Sequence, residues 1–202
     1  MFGWFKKKIT VVTHDGDFHP DEVFACAAFS MWADKHNYKL KIIRTREKSV
    51  LDKADVVIDV GMQYNPDKNR FDHHQKEGAG NRSGIPYASF GLVWERYGQE
   101  ICDDNEVADE VEKKLVILID ATDNGINLNT ASGGIHEYSI IDVISNMNPT
   151  LEENSMSYDG RFRLALDLAK NVLEREIIWT AAEIMDKHKT LQIIEKQFTV
   201  FW

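Results

Sequence analysis

Four short segments of this sequence are rich in aspartate and histidine, side chains that proteins commonly use to hold divalent metal ions. Imidazole and carboxylate together suit Mn²⁺, Fe²⁺ or Zn²⁺, and a larger share of oxygen ligands shifts the preference toward Mn²⁺ or Mg²⁺. Bound metal ions can activate water for attack on a phosphate ester. The pattern therefore predicts a metal-dependent hydrolase, and the four segments are residues 13–22, 59–61, 72–74 and 120–125.

Apolar runs precede the candidate residues, and this placement would bring several of them together. Lys8–Thr13 and Ala54–Gly61 are predicted to be buried strands, because both are apolar and rich in β-branched residues. The run Leu115–Ile119 fits a strand or a buried helix equally well. In a parallel sheet, ligands collect at the carboxyl ends of the strands. We therefore expect the polar residues at the ends of these runs to converge at one edge of the sheet: His14, Asp59 and Asp120.

The order of the predicted elements favours an α/β fold with a doubly wound, mostly parallel sheet. After the first strand, apolar residues recur at helical spacing from Asp21 onward, and Lys39–Thr45 is predicted to form a second strand. We expect the metal-binding domain to span residues 8–150. Residues 151–202 are expected to form a helical extension, because the apolar pattern from Tyr158 to about Leu191 is helical.

Composition narrows the classes of function. The chain has 33 acidic and 24 basic residues, a net charge of −9, which argues against broad, charge-driven binding of duplex nucleic acid. The two cysteines, Cys26 and Cys102, form no disulfide framework or zinc pattern, so we expect a reducing, cytoplasmic setting. We recognise no signal peptide, and the apolar runs are too short to span a bilayer, so we expect no membrane partner.

Each segment taken alone also has an ordinary structural explanation. Acidic residues at the start of a helix could simply cap it, Asp59 could start a turn, and Asp72–His74 could be a solvated loop. The four segments together are harder to explain in this way. Burying so many ionisable groups in one cleft without a metal ion would be costly. The combination therefore favours a metal site.

The same segments resemble the DHH phosphoesterase superfamily, and more closely its Myg (melanocyte proliferating gene) exonuclease family. The resemblance implies a DHH-type N-terminal domain, a two-metal phosphodiesterase site that uses manganese, and RNA or short oligonucleotides as substrate. Mg²⁺ or another divalent cation is the alternative to manganese. The motifs that carry the resemblance cover most of the chain: Thr13–Glu22, Asp59–Gly61, Arg70–Gln75, Asp120–Gly125 and Asn148–Thr150.

The resemblance also implies roles for individual residues. The residues implied to hold the metal ions are His14 and His19 for one ion, Asp21, His73 and Asp120 for the second, and Asp59 as the bridge. His74 would contact the substrate phosphate, and Asp72 is the expected acid that acts with it in catalysis. Lys76 and Arg82 lie in the glycine-rich loop that follows and are candidates to bind the substrate, although solvated surface explains each of them as well.

Two features depart from the family pattern. Asp15 stands where members of the family usually have asparagine, and the extra carboxylate could tighten or misplace a metal ion. The family is also usually longer, so we expect the second domain, which closes over the site, to be truncated or absent here. Ser132–His136 is only faintly similar to the glycine-rich motif of that second domain, and a turn explains it better.

Alternatives to a nuclease stay open at this point. A phosphatase or pyrophosphatase acting on a small molecule would use the same metal ions with a different substrate groove. A non-catalytic interaction module that keeps the metal fold would bind metal without turnover. The long helix from Tyr158 and the aromatic end Phe198–Trp202 could pack on a second copy, so a homodimer is a further expectation.

Overall fold

The computed structural model describes residues 7–126, 128, 137–153 and 158–199, with the side chains of 197–199 excepted. The strands in this part of the chain are β1 Lys8–Thr13, β2 Lys39–Arg44, β3 Val56–Ile58, β4 Tyr64–Asn65, β5 Arg70–Phe71, β6 Asn81–Arg82 and β7 Ile85–Pro86. The α-helices are α1 Pro20–Lys35, α2 Lys48–Leu51, α3 Ser89–Cys102, α4 Asn105–Val111, α5 Ile117–Asp123, α6 Ile140–Ser145 and α7 Tyr158–Thr199. A 3-10 helix, Pro66–Lys68, precedes β5, and a π-helical segment, Glu112–Val116, joins α4 to α5.

The central sheet has five strands in the order β2-β1-β3-β5-β4. Neighbouring strands from β2 to β5 are parallel, and β4 pairs with β5 in the antiparallel direction. The longest pairing joins β1 to β2 over their full lengths, because both runs are rich in the β-branched residues that suit a pleated surface. The predicted α/β fold with a mostly parallel sheet is confirmed.

Helices and loops cover the two faces of the sheet unequally. On one face, α1 packs against both α3 and α7, and Val11 and Phe71 point into this large core. On the other face, Val12 and Val57 belong to a small cluster that Leu51 of α2 covers. Val11 and Val12 take opposite faces because side chains alternate along a strand. The larger core therefore fixes α1, whose first turn carries several of the candidate ligands.

The observed elements differ from the predicted ones in a few places. The strand predicted over Ala54–Gly61 is shorter and spans only Val56–Ile58. The run Leu115–Ile119, which the sequence left undecided, is helical. Asp120 therefore lies inside α5 and not at the end of a strand. Strand β5 was not predicted from the sequence.

Some expectations are not tested by the residues that the structure describes. Ser132–His136 lies outside them, and so do residues 200–202 of the aromatic end Phe198–Trp202. The domain boundaries and the homodimer stay predictions. In the described ranges, no helix is both long enough and apolar enough to cross a membrane.

A buried ion pair fastens the β6–β7 hairpin to the helical layer. Asp120 is fully buried in α5, and its Oδ2 lies 2.6 Å from the Arg82 guanidinium of β6. Its Oδ1 accepts a hydrogen bond of 2.9 Å from the backbone N–H of Gly91 in α3. A Cβ atom at position 91 would collide with the Asp120 carboxylate and would also press on Arg82. The chain therefore needs glycine here to bring hairpin, α3 and α5 together.

Substitution of Gly91 tests this packing. Where the added methyl group meets open space, replacing a glycine inside a helix by alanine stabilises the helix by roughly 1 kcal/mol. Here we expect Gly91→Ala to lower the free energy of unfolding by about 3 kcal/mol, because it displaces one partner of a buried ion pair. Urea unfolding followed by circular dichroism measures the change. Gln99→Ala, at an exposed position of the same helix, is the control, and a Gly91→Ala protein as stable as the wild type would contradict the expectation.

Candidate metal centre

Three parallel strands deliver the candidate residues to one edge of the sheet. His14 follows β1, Asp59 follows β3, and Asp72 follows β5, and these strands are neighbours in that order. Their carboxyl ends therefore meet at the same edge. His14, Asp59 and Asp72 are all buried there. The convergence predicted for His14 and Asp59 is confirmed.

The first cluster of ligand atoms forms around His14. Its Nε2 lies 2.9 Å from Oε1 of Glu22 and 3.3 Å from Oδ2 of Asp59. With His19, these residues form a group whose ligand atoms all lie within 4.8 Å of one another. The sequence predicted each of them except Glu22, which was assigned only to the first turn of a helix. Glu22 also performs that role, because its Oε2 accepts a hydrogen bond of 2.7 Å from the His19 N–H.

The second cluster of ligand atoms forms around His73. Its Nε2 lies 3.2 Å from Oδ2 of Asp123, 3.4 Å from Oδ1 of Asp59 and 3.8 Å from Oδ2 of Asp21. Asp21 and Asp123 also group with His19 within 4.8 Å. Asp123 stood in the fourth sequence segment but was not assigned as a ligand. Its position three residues after Asp120, in the same Asp-rich segment, was the signal in the sequence.

Asp59 joins the two clusters. Its Oδ2 faces His14, and its Oδ1 faces His73 and also accepts a hydrogen bond of 2.9 Å from Ser89 Oγ. The backbone of Asp59 has a positive φ of 56°, a conformation that costs energy for any residue with a Cβ. One carboxylate with two oxygens can bridge two metal ions roughly 3.5–4 Å apart. The bridging role of Asp59 stays a prediction, and this geometry is compatible with it.

Asp72 orients His74. The carboxylate of Asp72 accepts hydrogen bonds from Nδ1 of His74 at 2.8 Å, from its backbone N–H at 3.0 Å and from the Met62 N–H at 2.6 Å. The hydrogen bond to Asp72 raises the pKa of His74, with burial opposing it. Half of the His74 side chain, 53%, is exposed. His74 is therefore an oriented side chain with a raised pKa at the surface of the cluster, where it can meet an anion.

The remaining predicted site residues lie elsewhere. Asp120 and Arg82 form the buried pair described above, and Arg82 also lies 3.1 Å from Glu112. Burial raises the pKa of Asp120 to about 7, although the Arg82 charge opposes that rise. Lys76 is exposed in the loop after His74. The ligand role of Asp120 and the substrate contacts of Lys76 and Arg82 stay predictions.

Electrostatics divides the cluster into cations and an anion. Burial lowers the pKa of His14, but the Asp59 and Glu22 carboxylates outweigh it and raise that pKa to about 10. The pKa of His73 also rises to about 10, because Asp123 and Asp59 outweigh the effect of burial. Burial favours the protonated form of Asp59, but the two histidines hold its pKa well below its usual range. Asp59 is therefore an anion that attracts positive charge from two sides.

The donor set suits divalent cations. Asp21 Oδ1 is a buried atom without a hydrogen-bond partner in the part of the chain that the structure describes, whereas Glu22 Oε1 lies against His14 Nε2, and His73 Nε2 lies against the Asp123 and Asp59 carboxylates. Buried polar atoms of this kind are rare in proteins, and a bound ion is one of the explanations for them. Burial raises the pKa of Asp21, and the neighbouring Asp59 and Asp123 charges raise it further. Positive charge among these atoms would relieve both the repulsion and the missing contacts.

Two side chains from distant parts of the chain fix the turn between His14 and α1. Asn148 holds the backbone of Phe18 at both ends, because its Oδ1 accepts from the Phe18 N–H at 2.9 Å and its Nδ2 donates to the Phe18 carbonyl at 2.7 Å. Arg44, over the Phe162 ring, donates to the Gly16 carbonyl at 2.7 Å. The turn is therefore held from both sides immediately before His19. His19 belongs both to the group with His14 and to the group with Asp21 and Asp123.

The chain is similar to one family model and to several known proteins. Residues 10–200 match the family model MYG1_exonuc, described as Uncharacterised protein family (UPF0160). The chain is 32% identical over 181 residues to the MYG1 exonuclease of Rattus norvegicus, which covers 78% of this chain and 46% of the relative. It is 36% identical over 168 residues to a MYG1 protein of Chlamydia muridarum, which covers 82% of this chain and 53% of the relative.

A third relative, a MYG1 protein of Dictyostelium discoideum, is 37% identical over 131 residues, 58% of this chain and 39% of the relative. The chain thus spans about half the length of the curated relatives it matches. No solved structure matches the chain.

Proton release on metal binding is the first expectation from this geometry. A metal ion binds unprotonated imidazole, whereas His14 and His73 are protonated below about pH 10 in the metal-free protein. Binding to both should release about two protons, so the apparent Kd for Mn²⁺ should fall as the pH rises from 6 to 8, by up to about a hundredfold per pH unit. Calorimetry in buffers of different ionisation enthalpy counts the protons.

The controls for this measurement are single histidine variants. His14→Gln should lower the number of released protons by about one, because one titrating ligand is removed. His36→Gln changes an exposed histidine of α1 outside the clusters and should leave the count unaltered. Metal binding that releases no protons would show that the inner histidines are neutral before the metal arrives.

The Asn148 contact gives a second expectation. Asn148→Asp keeps an acceptor for the Phe18 N–H but places a carboxylate oxygen against the Phe18 carbonyl, and the loss of the buried hydrogen bond should cost about 1–3 kcal/mol. If the contact positions His19, the folded variant should also bind Mn²⁺ at least about tenfold more weakly. Asn146→Ala, which removes a 3.3 Å contact with Tyr138, is the matched control. Unchanged metal affinity in folded Asn148→Asp would reduce Asn148 to a purely structural role.

Proposed function

The chain belongs to the MYG1 exonuclease family, and from that premise we propose that it is a metal-dependent, nuclease-type hydrolase that cleaves phosphodiester bonds in RNA or short oligonucleotides. The observation that carries this proposal is the position of Asp59, whose two oxygens face His14 and His73 in separate clusters. Such an arrangement suits two metal ions that share one carboxylate. Family membership supports the nuclease chemistry, and the buried cluster supports its dependence on metal.

The chain offers two metal positions with mixed nitrogen and oxygen donors, a mixture that suits Mn²⁺, with Mg²⁺ as the alternative. One position would use His14, His19, Glu22 and Asp59, and the other would use Asp21, Asp59, His73 and Asp123. We assign Asp123 where the sequence suggested Asp120, because the Asp120 carboxylate is already engaged by Arg82 and Gly91. When bound, the cations would activate water for attack and neutralise charge on the phosphoryl oxygens.

His74 would contact the substrate, and Asp72 would position it. The hydrogen bond to Asp72 raises the pKa of His74, and the exposed half of the ring can donate a hydrogen bond to a phosphate oxygen. Asp72 fixes the ring through Nδ1 and leaves the other ring nitrogen for the substrate. These two residues would stabilise the negative charge that grows on phosphorus-bound oxygens during attack. No covalent intermediate with the protein is required.

Substitution of Asp59 tests the proposal. Asp59→Ala removes the carboxylate shared by both clusters, so bound Mn²⁺ should fall below the wild-type stoichiometry and cleavage of a short RNA should fall by about a hundredfold or more. Metal content is measured by equilibrium dialysis and cleavage by chromatography of the products. Asp67→Ala, which removes an exposed carboxylate of the 3-10 helix, is the matched control.

A substrate panel separates the alternative functions. Wild-type protein with Mn²⁺ would be given pyrophosphate, dinucleotides, short RNA and short DNA. Turnover of pyrophosphate alone would favour a small-molecule phosphatase. Metal binding without turnover on the whole panel would favour a non-catalytic module, and full RNA cleavage by Asp59→Ala would sink the shared-carboxylate assignment.

A further inference from the structure

Two cavities meet at His19 and His74 from different sides of the metal centre. The larger one, about 610 Å³, extends from these histidines past Asp59 to Arg46, and we call it the Arg46 cavity. The smaller one, about 370 Å³, extends from the same histidines toward Ile141 of α6, and we call it the Ile141 cavity. Both volumes are in the range that small ligands occupy in proteins. A group bound at His19 and His74 can therefore extend to both sides.

The walls of the two cavities differ in chemistry. Arg46 brings an exposed guanidinium to its cavity, where it pairs with the Asp15 carboxylate and donates to the Asp15 carbonyl at 2.5 Å. The carboxylates of Asp17, Asp59 and Asp72 also line this cavity, so Arg46 is set among acidic groups there. The Ile141 cavity contains no lysine or arginine among its lining residues, within the part of the chain that the structure describes. Its walls combine the apolar side chains of Ile119 and Ile141 with the hydroxyls of Thr122 and Ser145, and the carboxylates of Asp21 and Asp123 line it on the side of the metal centre.

These differences match the two parts of a nucleotide chain. A nucleobase and its sugar present flat apolar surface and a few hydroxyl groups, which the isoleucine side chains and the hydroxyl groups of the Ile141 cavity can accept beside the carboxylates of the metal centre. A phosphate group presents charge, which arginine binds in a bidentate geometry. The salt bridge between Arg46 and Asp15 would be exchanged for a salt bridge to that phosphate. Asp15 thus keeps the exposed guanidinium directed into the cavity in the free protein.

We propose that the two cavities are substrate subsites on either side of the scissile phosphate, with the terminal nucleoside in the Ile141 cavity and the next phosphate of the chain at Arg46. This assignment rests on the proposed nuclease function. Hydrolysis there forms one bond from the oxygen of water to phosphorus and breaks one bond from phosphorus to a sugar oxygen, which takes up a proton. The products are the terminal unit and a chain shortened by one, with the phosphate on one of them.

The assignment predicts a dependence on substrate length. A dinucleotide with a single phosphate places that phosphate at His74 and has no further phosphate for Arg46. A trinucleotide supplies one. Arg46 should therefore matter much more for the trinucleotide, whereas the Ile141 cavity should matter for both substrates, since each has a terminal nucleoside.

The experiment measures kcat/KM for the RNA dinucleotide ApA and the trinucleotide ApApA with Mn²⁺. Arg46→Gln should lower the rate with ApApA at least about ten times more than the rate with ApA, because one charge-assisted phosphate contact is lost. Ile141→Trp should lower both rates at least about tenfold by filling the smaller cavity. Ile141→Leu, which keeps the side-chain volume, should retain most of the wild-type rate. Lys48→Gln changes an exposed site outside both cavities and is the matched control for Arg46→Gln.

Binding separates the subsites from the chemistry. Dissociation constants for ApA and ApApA are measured with Ca²⁺ in place of Mn²⁺, and Mn²⁺ affinity and urea unfolding check that each variant retains fold and metal site. Tighter binding of ApApA that Arg46→Gln abolishes supports the subsites, even if no substrate is cleaved and the nuclease proposal fails. Cleavage in which Arg46→Gln affects ApA and ApApA equally, or in which Ile141→Trp affects neither, overturns the subsites and leaves the nuclease proposal standing.

Discussion

The concentration of buried carboxylates at one edge of the sheet is the constraint on which the rest of the structure depends. Asp21, Glu22 and Asp59 are almost completely inaccessible to water and lie close enough to repel one another. Ionised groups in such a place lose hydration and raise each other's pKa. The chain offsets this cost with imidazole side chains from His14 and His73, set directly against the carboxylates. The carboxylates of this cluster outnumber the imidazoles set against them, so the cluster favours the binding of cations.

The fold holds this unfavourable cluster in place because several independent elements define each residue. Asp59 keeps a strained backbone since its N–H pairs with the Phe71 carbonyl of β5 and its side chain with Ser89 of α3. The turn before α1 is held by Asn148, which is 130 residues away from Phe18 in the sequence. These contacts come from the sheet, from α3 and from the segment after α6. Loss of any one of them would leave the others to hold the charges close together.

The sequence could predict the strand-end residues because the apolar, β-branched pattern of a buried strand precedes them. The apolar β-branched runs before His14 and Asp59 place these residues at strand ends, and parallel topology then brings them together. The same reasoning could not place Asp120, because a buried helix and a buried strand have the same apolar run. It also did not single out Glu22 as a candidate ligand, because a helix-capping acid and a metal-binding acid look identical in sequence. Strand β5 is only two residues long and carries too little pattern to be recognised.

The contrast between Asp120 and Asp123 explains how one helix serves both stability and chemistry. The two residues are three positions apart, so their side chains leave α5 in directions about 60° apart. Asp120 turns toward α3 and is neutralised by Arg82, which fastens the hairpin and uses up that arginine's charge. Asp123 turns toward His73 and remains partly exposed at the cleft.

Because Arg82 is engaged in this way, an anionic substrate must find its positive charge elsewhere. Among the described residues that line the two cavities, Arg46 is a cation that remains accessible, and His74 is an accessible side chain with a raised pKa. Two such groups do little to balance a chain of net charge −9. In the proposed nuclease, the attraction for phosphate at this edge would therefore come mainly from cations held by the carboxylates themselves, which would link binding of the substrate to binding of the metal.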